Sequence, residues 1–65
     1  MEKDKQGLKE IFLKIYANIP LNLRKEIILV LENEPISWNV AFVEVKNNTD
    51  KSEIILKELN KLEII

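Results

Sequence analysis

Cysteine and histidine are both missing from this chain. A disulfide framework is therefore impossible, a thiolate or imidazole metal site is excluded, and no side chain has an unperturbed pKa near neutrality. Only carboxylate sites for hard cations survive as a metal option, and no aspartate-rich calcium loop is present, so neither metal nor cofactor is expected. One Gly and two Pro in 65 residues leave few positions for left-handed turns. That scarcity disfavours tight hairpins and favours helices. The longest apolar runs, such as "IILVL", reach five residues, far short of a membrane span. The charged start "MEKDKQ" has no apolar core behind it. No secretion signal or membrane partner is expected, and the predicted location is cytoplasmic. Catalytic machinery is equally scarce. Glu32, Glu34 and Glu44 are the best carboxylate candidates, but no base, nucleophile, oxyanion donor, phosphate-cradling loop or nucleophile elbow accompanies them. The reading is therefore not an enzyme, with no small-molecule substrate.

What is present is aliphatic bulk and balanced charge. Ten Ile and nine Leu dominate a hydrophobic share of 46%, and ten basic residues face eleven acidic ones. Sixty-five residues make one domain, 1–65, near the lower limit at which a hydrophobic core alone holds a fold. Dense Lys and Glu without Cys fits a heat-adapted, thermostable intracellular protein. The net charge of −1 means that a nucleic-acid role would require segregation of charge by face.

Periodicity predicts an N-terminal helix over 4–19, with Leu8, Ile11, Phe12, Ile15 and Tyr16 on one stripe, Asp4 as N-cap, and Asn18 with Pro20 as the stop. Asn22 is placed to cap a second helix, "LRKEIILVLENE", with Leu23, Ile27, Val30 and Leu31 on one face and Pro35 ending it. In "DKSEIILKELNKLEII" a capping box of Asp50 and Glu53 opens a further helix, with Ser52, Leu56, Leu59 and Leu62 on one side.

The stretch "PISWNVAFVEVKNNTD" reads two ways. With period two, Ile36, Trp38, Val40 and Phe42 line a strand; with period 3.6, Trp38, Ala41, Phe42 and Val45 line a helix opening at Ser37. The alternation breaks at Glu44 and Lys46, and no second strand is evident to pair with the first. The helix is preferred, and the expected fold class is all-α: four short helices with a helix-turn-helix-like core over 22–65. The alternative is α+β, with residues 36–46 as a strand.

On the helical reading, residues 24–65 resemble winged-helix transcription regulators of the arsenic-repressor and multiple-antibiotic-resistance type. "RKEIILVLENEPIS" is similar to the first core helix and its turn, "WNVAFVEVKN" to the second helix, and "DKSEIILKELNKLEII" to the recognition helix. Residues 4–19 take the place of the extra N-terminal helix that often mediates dimerisation. The chain departs from the family in four places. Glu63 stands where Gly is common, so the last turn must end differently. Ala41 and Phe42 reverse the usual order of sizes. The sequence stops at Ile65, where the wing would begin, so the wing is expected to be absent. Ile54 and Ile55 stand where polar or basic residues face the groove.

The resemblance implies a small DNA-binding or transcription-regulatory protein with its last helix in the major groove of duplex DNA. Its nucleic-acid-binding candidates are Lys51, Ser52, Lys57 and Lys61 with Asn48 and Thr49 (and Asn47 beside them), and Asn60 if it points outward. The plain alternative makes Lys57 and Lys61 solvated partners of Glu53 and Glu58, worth a few tenths of a kcal/mol each. Glu53, Glu58 and Glu63 on the same helix would repel phosphates. Trp38 reads as a core or interface anchor before a base-stacking platform, and Tyr16 as a core-edge residue. The competing function is a helical protein-interaction or dimerisation module without nucleic acid. Its interface would be Ile54, Ile55, Ile64 and Ile65, supported by Ile28 and Leu29, and it would form a homodimer or bind a protein partner.

Overall fold

The computed structural model describes residues 5–65, with side chains from Gly7 onward; Asp4, the predicted N-cap, lies outside them. The chain runs through α1 (Lys5–Ala17), a 3-10 turn (Leu21–Leu23), β1 (Ile27–Leu31), β2 (Glu34–Ser37), α2 (Trp38–Lys46) and α3 (Asp50–Lys61). The fold is α+β: three helices and a two-stranded antiparallel hairpin. The four-helix, all-α expectation is therefore corrected, and its stated α+β alternative is nearer in class. The error lies in one segment. "LRKEIILVLENE" does not coil; it forms the 3-10 turn, β1 and the hairpin loop. Period counting cannot separate a helix from a strand in a short run that is apolar on both faces, and β-branched Ile27, Ile28 and Val30 favour the pleated form. The missing strand partner was "IILVL" itself.

The scarcity of Gly did not prevent the hairpin either. Leu31 pairs with Glu34 across a two-residue loop. Glu32 (φ 48°) and Asn33 (φ 69°) both take positive φ, the signature of a type I′ turn built without glycine. Pro35 does not end a helix; it sits within β2 opposite Val30.

The middle of the chain follows the helical reading. Ser37 caps α2, its Oγ accepting from the Val40 N–H at 3.1 Å. The strand reading of 36–46 survives only at Ile36 and Ser37. Next, α2 closes through left-handed Asn48 (φ 53°): the Asn48 N–H donates to the Val45 carbonyl and the Thr49 N–H to the Glu44 carbonyl, both at 3.2 Å. Thr49 then starts α3. Its hydroxyl oxygen accepts from the Ser52 N–H at 3.1 Å and donates to the Glu44 carboxylate. Thr49, not Asp50, is thus the N-cap, and the Asp50–Glu53 capping box is corrected. One residue finishes one helix and opens the next, which sets the turn at 47–49.

Glu63 terminates α3 in the left-handed conformation (φ 61°). Its N–H donates to the Asn60 carbonyl at 3.0 Å, and the Ile64 N–H donates to the Leu59 carbonyl at 2.9 Å. The expected different ending is thus replaced by the usual left-handed closure, with a glutamate carrying strain that glycine would avoid.

The core draws Leu8 and Phe12 from α1, Leu29 and Ile36 from the hairpin, Ala41 and Val45 from α2, and Ile55, Leu56 and Leu59 from α3. The order of Ala41 and Phe42 has a clear reason: Ala41 is buried, while Phe42 stacks on Tyr16 with ring centroids 4.3 Å apart and planes 8° from parallel. Arg24 completes that stack, its guanidinium 4.3 Å from the Tyr16 centroid. The same guanidinium closes the end of α1, with Nε donating to the Ile19 carbonyl at 3.0 Å and Nη2 to the Tyr16 carbonyl at 3.2 Å.

Two outcomes follow. Glu32→Asn with Asn33→Gly, and separately Glu63→Gly, are each expected to raise stability by roughly 0.5–1 kcal/mol, or about 3–6 °C in Tm. Unchanged or lower midpoints in circular-dichroism melts would contradict the left-handed geometry. Arg24→Lys keeps the charge but loses the planar fork, and is expected to cost about 1–2 kcal/mol in urea unfolding; a neutral effect would show that the clamp is dispensable.

Candidate functional site

Two surfaces compete for function: the α2–turn–α3 unit and the outside of the hairpin. The first carries the lysines. Lys51, in the first turn of α3, donates from Nζ to Glu34 Oε1 at 2.7 Å, tying the start of α3 to β2. Its pKa is raised above the ordinary lysine value, first by that hydrogen bond and then by the Glu34 charge, with Glu44 and Glu32 adding and desolvation opposing. Lys61 Nζ lies 3.7 Å from Glu58, the pairing expected of a solvated helix face. Lys57 and Asn60 are exposed.

The remaining nucleic-acid candidates are turned to structural work. Ser52 is buried and its hydroxyl donates to the Thr49 carbonyl at 2.6 Å. Thr49 is occupied as the cap. Asn48 Oδ1 accepts from Lys9 Nζ at 2.8 Å, and Asn47 Nδ2 donates to the Val43 carbonyl at 2.8 Å. The structure therefore leaves Lys57, Asn60 and Lys61 outward on α3, beside exposed Glu53 and Glu63. Trp38 packs against the core with its ring 5.9 Å from Phe12, and Tyr16 directs its hydroxyl to Asn39 Oδ1 at 2.9 Å.

The predicted apolar interface is divided by the fold. Ile55 is fully buried, and Leu29 is buried with it. Ile28, Ile64 and Ile65 are partly buried against the core. Ile54 alone of the group is exposed. It forms, with Leu31 and Pro35, the apolar part of an open groove of about 570 Å³ at the hairpin tip, bordered by Glu32, Glu34 and Lys51.

Exposed apolar side chains also stand on β1, where the helical reading places a central helix. Val30 is 62% exposed and Ile27 53%, while Leu29 on the same strand is buried. A bulge between Ile27 and Leu29 turns Ile28 inward and leaves Ile27 out. Val30 stands opposite exposed Pro35. A β-branched run followed by Glu-Asn-Glu-Pro was the available signal, since proline within a strand marks an edge. No described helix is long and apolar enough to cross a membrane.

The Lys51 ammonium gains from Glu34 only while protonated, so the pair's contribution is complete below the unfolded lysine pKa and is lost as pH rises through the elevated folded value. Glu34→Gln is expected to lower the Lys51 titration midpoint followed by side-chain NMR, with little change in Tm because both groups are solvated; an unmoved midpoint would contradict the pairing. No protein-family model, curated protein or solved structure matches this chain.

Proposed function

We propose that this chain is a small protein-interaction module that receives an extended segment along the hairpin. The observation carrying this reading is the combination of an apolar strand, β1, with exposed Ile27 and Val30, and an outer edge that no other described strand pairs. Main-chain groups along such an edge provide affinity for an added strand, and alternate side chains provide selectivity. Selection from a displayed random-peptide library against the immobilised protein is expected to yield extended, β-branched peptides. Their binding should be lost when Ile27 and Val30 are both changed to Lys. Binders indifferent to that double substitution would overturn the reading.

DNA binding through α3 is the second reading. It is favoured by the capped α2–turn–α3 unit and by Lys57 and Lys61 standing outward on the second helix. Trp38 fluorescence titrated with random duplex DNA separates the two. Groove binding through these two lysines would give a slope of log K against log salt near −2, at about −0.9 per phosphate contacted. The interaction-module reading expects no binding at low salt.

A further inference from the structure

We propose that the segment received by β1 is the β1 strand of a second copy of this chain. The two strands would pair antiparallel about a two-fold axis at Val30, forming a four-stranded sheet in the order β2–β1–β1–β2. This rests on the reading of the hairpin as a protein-binding surface and names its occupant.

Hydrogen-bond geometry identifies the open edge. In a two-residue hairpin the pair flanking the loop is hydrogen-bonded, here Leu31 with Glu34, so the next pair, Val30 with Pro35, is not. The Val30 N–H and C=O therefore point away from β2, and no other described backbone group takes them up. At the equivalent place on β2 stands Pro35, which has no N–H to offer. Each chain thus presents one usable edge. A single edge closes with a single copy, whereas two would propagate into a fibre.

Side chains favour self-pairing over a foreign strand. An axis at Val30 sets Val30 against Val30 of the second copy and Leu29 against its Leu31, apolar against apolar in each case. β1 contains no Lys, Pro or Gly to guard its edge. The bulge confines the new ladder to the stretch from Leu29 onward, so the dimer is a weak one that forms with concentration.

Sedimentation equilibrium tests this. At concentrations on the order of 100 µM the wild-type mass is expected to approach twice 7.6 kDa, with the Val30 amide protected from hydrogen exchange. Val30→Lys should return the mass to that of a monomer with unchanged far-UV circular dichroism. Val30→Ile, which keeps a β-branched apolar side chain at the axis, should retain the dimer, so that loss of pairing is told apart from loss of folding. A wild-type monomer, or a dimer indifferent to Val30→Lys, overturns self-pairing. If the monomer still selects peptides sensitive to the Ile27 and Val30 substitutions, self-pairing falls and the protein-binding hairpin stands; if it selects none, both fall.

Discussion

Arg24 holds the molecule together where helix gives way to sheet. Its guanidinium accounts for two carbonyls at the end of α1, lies on Tyr16, and through Tyr16 bears on Phe42 of α2. Its own carbonyl accepts from the Asn39 N–H at 3.0 Å, while the Tyr16 hydroxyl reaches the Asn39 side chain. The Arg24 side chain thus fixes two carbonyls and the Tyr16 ring, and its backbone holds the start of α2. Lysine offers a point charge and could not satisfy both carbonyls while covering the ring. Once residues 18–26 are pinned this way, β1 follows directly and sends Leu29 into the core.

That placement explains how so small a chain forms a core. Nine buried residues come from every regular element except the 3-10 turn, so no pair of elements would be stable alone. A lone hairpin is marginal in water, and short helices are too. Of its apolar residues the hairpin supplies Leu29 and Ile36 to the buried core, while Ile27 and Val30 stay exposed. Local closure then carries much of the specification. Ser37, Asn48, Thr49 and Glu63 each define a helix end, and Glu32 with Asn33 defines the loop.

The legible parts of the sequence were those where helical spacing and a clear break agreed. The α1 stripe, Ser37 before α2, and the Asn-Asn-Thr break before α3 each combined spacing with a residue of distinct local chemistry. Ambiguity arose at 23–34 because Ile, Leu and Val occupy consecutive positions, and no phase distinguishes one face. The expectation that hairpins need glycine then tipped the reading toward a helix, although Asn33 tolerates positive φ and Glu32 is carried by the pairing around it. The site reading failed for the same reason. With a helix at 27–31, its apolar residues were assigned between other helices, so the exposed Ile27 and Val30 could not be seen as surface. Ile55, read as interface, is instead fully buried in the core.

Magnitudes separate the two surfaces that remain. On α3, two outward lysines stand among carboxylates in a chain of net charge −1. Two phosphate contacts supply little attraction at physiological salt, where dedicated binders use 6–10 or so. On the hairpin, covering a half-exposed Val or Ile contributes roughly 1 kcal/mol per side chain, and a two-fold arrangement counts each residue twice. Added ladder hydrogen bonds contribute about 1 kcal/mol each. A few such terms must still exceed the several kcal/mol lost in rigid-body freedom on association. The hairpin can exceed that loss modestly, and the helix face lacks the charges to do so. The balance of attraction therefore lies with the strand, and with it the reading of this chain as a module that binds by lengthening its own sheet.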